Sequence, residues 1–258
     1  MTMHVIEHNP AAAESVILLH GGNVAGWMWE AQLYALHDYH VIIPDLPGFG
    51  ASNQLPWESV TDTADQVADL IRTRAHDGEA HVVGLSLGAI LGTVLLARHP
   101  EVARSAMFSG AALQGVHGFI RWSGMAQLRF WKSPAYWKFL ARAFRMPADA
   151  IDIFVETGLG IDAGSARRMM AEVYGGGLTD LLSGLVGCEV PILALAGERE
   201  HRSARESFAE LTGRATSVTT RIVPKMHHAW NAEDPELFNR IMREWLTLRT
   251  ASAELVDA

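Results

Sequence analysis

Ser86 stands at the centre of Gly84-Leu85-Ser86-Leu87-Gly88, after a short apolar run and before an Ala/Leu-rich stretch. A Gly-x-Ser-x-Gly turn between strand and helix is so tight that only small residues fit two positions either side. The turn lifts the hydroxyl to the end of the strand and the start of the helix. There, free N–H groups and partial positive charge favour a developing anion. A serine hydroxyl is a poor nucleophile by itself. It needs a base within hydrogen-bond reach, and that base needs an acid to fix its tautomer. Downstream the chain offers Glu198 and Glu200 after Pro191–Gly197, then His227 and His228 after Thr219–Val223. Two adjacent histidines cannot both face one serine. These parts stand after strand ends in the chain order Ser, acid, His, and together they are what acyl transfer by a serine needs.

These residues need a scaffold that brings strand ends together. Short apolar runs of strand type lie at Met3–His8, Val16–His20, His40–Asp45, His81–Leu85, Ser105–Ser109, Pro191–Gly197 and Thr219–Val223. Helical spacing separates many of them: a short helix at 32–36, Thr61 to about Ala75 with Thr61 as N-cap, a helix after Ser86 ended by Pro100, another near Ala204–Leu211, and Pro235 to about Leu248. Alternating buried strands and helices predict an α/β fold, a mostly parallel sheet of about seven strands covered on both faces. The alternation breaks at about Ala112. From Leu113 to Gly187 only helical stretches are expected, at 119–130, 134–144, 148–156 and 165–174. Residues 1–112 and 188–258 are therefore read as the core and 113–187 as a helical cap. Its aromatic residues, among them Trp122, Phe130, Trp131 and Trp137, fill its own small core, and some are candidates to face Ser86. Thr250–Ala258 reads as a frayed tail.

Composition narrows the classes of function. At 258 residues, with 49% hydrophobic and 19% charged, the chain is well cored rather than disordered. A net charge of −8 without a basic block argues against nucleic acid or an anionic membrane surface as partner. The lone Cys188 excludes an intrachain disulfide and a Cys-based zinc site, and suits a reducing compartment. No His-x-x-x-His set suggests a metal, and acyl transfer by serine calls for no cofactor. With no signal-peptide pattern at Met1–Val5 and no apolar run long enough for a bilayer, the expectation is a soluble cytoplasmic protein acting on a small molecule.

Taken together, these motifs resemble the α/β-hydrolase superfamily over roughly residues 16–112 and 188–248, with the helical insertion where that family carries its cap. The resemblance implies that Ser86 is the nucleophile of the elbow. His20-Gly21-Gly22 resembles the family's oxyanion motif, which implies the backbone N–H groups of Gly22 and Leu87 as donors. Asp45-Leu46-Pro47-Gly48-Phe49-Gly50-Ala51-Ser52 resembles its structural Asp-x-Pro-Gly-x-Gly-x-Ser turn. His228, Glu233 and Pro235 match the family's terminal spacing, which implies His228 as base over His227. Gly197-Glu198-Arg199-Glu200 places Glu200 where the family usually has Asp, with Glu198 as fallback. His20 is expected to pack beneath the oxyanion loop. Asn23 either adds a side-chain donor or caps a turn, and Trp230, beside the base, joins the candidate substrate contacts.

Serine at the elbow excludes the dehalogenase and epoxide-hydrolase mechanisms of this fold, which need a carboxylate there. A hydroxynitrile-lyase reading is opposed by Gly21 and Ala229, which stand where that branch has Thr and Lys. Hydrolysis of a small to medium hydrophobic carboxylic ester remains the expected activity. Lactones, thioesters and C–C bonds beside a ketone use the same parts, and a small-molecule receptor retaining the triad is the alternative outside catalysis.

Overall fold

The computed structural model describes residues 2–115 and 126–258; Trp122 and most of the helix expected at 119–130 lie outside the described residues. The strands are β1 (Val5–His8), β2 (Ser15–Leu19), β3 (His40–Pro44), β4 (Ala80–Leu85), β5 (Ala103–Ser109), β6 (Ile192–Gly197), β7 (Val218–Val223) and β8 (Val256–Asp257). They form one sheet in the order β1-β3-β2-β4-β5-β6-β7-β8, parallel from β3 through β7 and antiparallel at both edges. Eight strands replace the expected seven or so, and the extra one is the supposed frayed tail. Buried Ser252 and Leu255 pin that tail, so that Val256 pairs with Ile222 and Asp257 with Arg221.

Side chains alternate across a strand, so each central strand feeds two cores. Between β2 and β3 lies the short α1 (Glu30–Leu33), and from β2, Ile17 and Leu19 join a core that includes α2 (Val60–Arg74) and α3 (Leu87–Arg98). Val16 and Leu18 join the other, packed under α9 (Pro235–Leu248) through Phe238, Ile241, Met242, Trp245 and Leu246. The N-cap of α2 lies two residues earlier than its spacing predicts: Ser59 Oγ, not Thr61, caps it by accepting the Asp62 N–H. Every residue of α3 from Leu87 to Leu96 is buried, as expected of a helix covered on all sides.

Between β5 and β6 the chain leaves the sheet for α4 (Pro134–Ala143), α5 (Ile151–Gly160), α6 (Ala163–Gly175) and a run of 3-10 turns over Gly177–Leu185. Ser133 and Asp162 cap α4 and α6 with their side chains. After β6 come α7 (Ser203–Thr212), β7 and the short α8 (Trp230–Glu233). Among the described residues, no helix is long and apolar enough to cross a membrane.

Candidate active site

Parallel strands end at one rim, and here the rim of four adjacent strands carries the polar residues. Ser86 follows β4, Gly110 follows β5, Glu200 follows β6 and His228 follows β7. Ser86 takes φ 56° and ψ −114°, a strained backbone for any side chain. Its N–H donates to the Ser109 carbonyl (2.8 Å), and the Gly110 N–H donates to that of Leu195 (3.0 Å). Two glycines make the turn possible by their lack of a side chain. A Cβ on Gly88 would overlap the Leu19 carbonyl, and one on Gly110 (φ 72°) would lie 2.8 Å from both Glu200 Oε1 and His228 Cε1.

Glu200 Oε1 accepts from His228 Nδ1, and its other oxygen accepts the Gly197 N–H at 3.0 Å. The carboxylate is nearly sealed (4% exposed), whereas the imidazole is 37% exposed on its cavity side. Burial pulls the His228 pKa down, but the hydrogen bond and negative charge of Glu200 outweigh it, and the net shift is upward. With Nδ1 engaged, Nε2 is the nitrogen left to exchange a proton. The rivals are occupied elsewhere. The backbone N–H and Nδ1 of His227 both meet Glu233 (3.0 and 2.9 Å), and Glu198 Oε2 accepts the Lys225 N–H.

The loop after β2 is held by His20, which is fully buried. The Leu46 N–H donates to its Nε2 (2.9 Å), so the ring proton resides on Nδ1 and is donated to the Gly21 carbonyl at 2.7 Å. In a trans peptide the C=O and N–H point in opposite directions. Tying the Gly21 carbonyl to His20 therefore turns the Gly22 N–H away from the ring. Burial lowers the His20 pKa against the raising pull of the Gly21 carbonyl and Asp45, which keeps the ring neutral. Asp45 in turn accepts the N–H groups of Gly26 and Ala51, both at 2.8 Å, and fixes the neighbouring turn. The Gly22 and Leu87 N–H groups have no protein acceptor among the described residues. Asn23 lies beside them with left-handed backbone (φ 68°), its Oδ1 buried and without a partner among the described residues.

Ser86, Leu87, Gly22, Asn23, Glu200 and His228 border one cavity of about 880 Å³. No hydrogen bond joins the Ser86 hydroxyl to His228 in this geometry; such contacts are commonly loose until a substrate binds. The far wall comes from the helical insertion through Phe144, Met146, Phe154 and the α6 face of Met169, Met170, Val173 and Tyr174. The expected aromatic contacts are mostly elsewhere. Trp131 and Trp137 pack edge to face against each other and hydrogen-bond backbone carbonyls, so they are core. Phe130 is 57% exposed and stacks on Tyr136. Trp230 is fully buried, with its indole N–H on Ser109 Oγ and its ring against Phe238. The aromatic lining residues instead include Trp27, whose indole N–H donates to Thr157 Oγ1 (2.9 Å). The spacing of Met169, Met170, Val173 and Tyr174 on one helical face was the sequence signal for the true wall.

A model of the alpha/beta hydrolase family matches residues 16–241 of this chain. The chain belongs to the alpha/beta hydrolase family. This alpha/beta hydrolase is similar to an AB hydrolase superfamily protein of Gibberella zeae, at 27% identity over 95% of this chain and 84% of that one. It is also similar to (E)-2-((N-methylformamido)methylene)succinate hydrolase of Acinetobacter baylyi, at 25% identity over 95% and 94% of the two chains. Among solved structures, the enol-lactonase of Burkholderia xenovorans aligns with a TM-score of 0.76 at 18% identity, covering 95% of this chain and 96% of that one. At that distance the likeness concerns the alpha/beta hydrolase fold and not the substrate.

Proposed function

We propose that this alpha/beta hydrolase is a serine hydrolase cleaving a small to medium, uncharged hydrophobic carboxylic ester through an acyl-enzyme on Ser86. The observation that carries the reading is the Glu200–His228 pair opening onto the same cavity as Ser86. His228 Nε2 takes the Ser86 proton as the hydroxyl attacks the ester carbonyl. The Gly22 and Leu87 N–H groups receive the oxyanion, and His228 returns the proton to the leaving alcohol. Water then releases the acyl group by the same route. Residues 113–187 act as the cap, supplying the apolar wall that desolvates the ester. No Lys or Arg is among the described lining residues, which favours an uncharged substrate over succinate derivatives such as those named for the Acinetobacter relative.

The test compares wild type and Ser86→Ala on p-nitrophenyl acetate and butyrate, with a phosphonate ester as a covalent probe. The expected result is turnover in wild type only, and one phosphonyl adduct on Ser86 by mass spectrometry. Equally slow turnover in both proteins points instead to a receptor.

A further inference from the structure

Between Glu101 and Asp149 the sequence holds seven Lys or Arg and no Asp or Glu, in a chain of net charge −8. Five of them, Arg129, Lys132, Lys138, Arg142 and Arg145, lie in the described stretch 126–148, and all five are exposed. On α4 the helical period puts Lys138, Phe139 and Arg142 on one outward stripe, opposite the buried Trp137 and Ala141. Phe139 is 67% exposed and Phe130 57%; with Phe144 they are the exposed phenylalanines among the described residues. None of the five cations forms an ion pair among the described residues, while the Lys132 ammonium donates to the Leu159 carbonyl (3.2 Å) and, against the raising effect of burial, the charge of Arg145 helps to lower the Glu233 pKa. The stretch runs straight into the cavity wall at Phe144, Met146 and Pro147.

We propose that this outward face of the helical insertion docks on an anionic lipid surface. Phe139 enters the headgroup boundary while Lys138 and Arg142 on the same stripe meet lipid phosphates. Lys138 and Arg142 flank the exposed Phe139 on α4, and Arg129, Lys132 and Arg145 flank the helix in the chain; cations beside an exposed aromatic are the pattern of interfacial binding. A protein partner would meet the same residues, and interface cores accept Phe and Arg; the single sign of charge over the stretch, seven Lys or Arg with no Asp or Glu, is what selects an anionic surface. The net charge of the whole chain, which argues against such a surface, averages over a separation of charge. The acidic remainder is repelled by the membrane that attracts α4, so the molecule is oriented with the insertion toward the lipid. A substrate dissolved in the bilayer then meets the apolar wall of the cavity with little passage through water. Docking itself does not depend on the serine chemistry.

The experiment is co-sedimentation of the full chain with vesicles of phosphatidylcholine alone or mixed with phosphatidylglycerol, at low and high salt. Binding is expected to the mixed vesicles only, and to be lost at high salt. Lys138→Glu with Arg142→Glu is expected to weaken it by about tenfold or more. Phe139→Ser should weaken it too, whereas Arg240→Glu, remote in the chain on α9, should have little effect. All these variants keep their turnover of p-nitrophenyl butyrate, and Ser86→Ala binds vesicles like wild type, which separates docking from catalysis. Equal binding to neutral vesicles, binding to neither kind, or indifference to the double charge reversal would overturn the proposal. So would self-association in the ultracentrifuge that the double reversal abolishes, since the face would then join two copies.

Discussion

Glu200 does two things to His228 that are separable by experiment. It fixes the Nδ1–H tautomer, and its charge raises the imidazole pKa above the usual 6.5 despite burial. As the proposed base, His228 must be neutral to act, so kcat/KM is expected to rise with pH through an inflection above 6.5. In Glu200→Gln the anion is gone and that inflection moves down, which enlarges the neutral fraction on the acid side. Turnover nevertheless falls, by up to ~10⁴ where the tautomer is lost. A pH–rate profile of both proteins checks the two effects together; an unchanged inflection would show that Glu200 is not the partner in solution. His20 allows a second test. His20→Phe keeps the bulk beneath the loop but releases the Gly21 carbonyl, and with it the direction of the Gly22 N–H. Its expected signature is a fall in kcat of up to ~10²–10³, the worth of one oxyanion donor, with KM much less affected.

At the scale of elements, the elbow is where local sequence and global packing agree. Gly84 and Gly88 let α3 approach the strands more closely than any Cβ allows: a methyl on Gly84 would lie 2.5 Å from the Gly88 carbonyl oxygen. Gly84→Ala is therefore expected to cost ~1–3 kcal/mol or more through overpacking, read as a lowered urea midpoint. The strands and the elbow were legible because apolar period and turn chemistry are local signals. The tail strand β8 was not, because its two residues gain their place only from the edge of β7. The cavity wall was misread for a related reason. Composition marks Trp131, Trp137 and Trp230 as large apolar side chains, but burial on folding decides whether they fill the core or the site. All three found carbonyl or hydroxyl partners for their indole N–H groups inside the core. That Ser86, Glu200 and His228 share one rim follows from their positions after strand ends, since a parallel sheet aligns those ends.

For the molecule as a whole, the question is how the insertion stays seated over the sheet. Its α6 clasps one buried side chain of the core, Trp57. Ser165 Oγ accepts the Trp57 backbone N–H (3.0 Å), Arg168 donates to its carbonyl, and Glu172 Oε2 accepts its indole N–H at 3.4 Å. The same Glu172 oxygen accepts the Val60 N–H (2.9 Å), the first of α2, so one carboxylate ties the insertion to the start of a core helix. Nothing in the local sequence around Trp57 announces this, because its partners lie more than a hundred residues away. Glu172→Ala leaves two donors without their acceptor in a mostly buried seam, and is expected to cost ~1–3 kcal/mol. Glu172→Gln keeps one carbonyl oxygen for the task and should lose less. Limited proteolysis is the sharper measurement: the alanine variant is expected to be cut faster within 126–187 under conditions where the sheet still resists. If cleavage there is no faster than in wild type, the clasp on Trp57 does not seat the insertion, and the burden falls on the contacts of α5, Trp27 with Thr157 first among them.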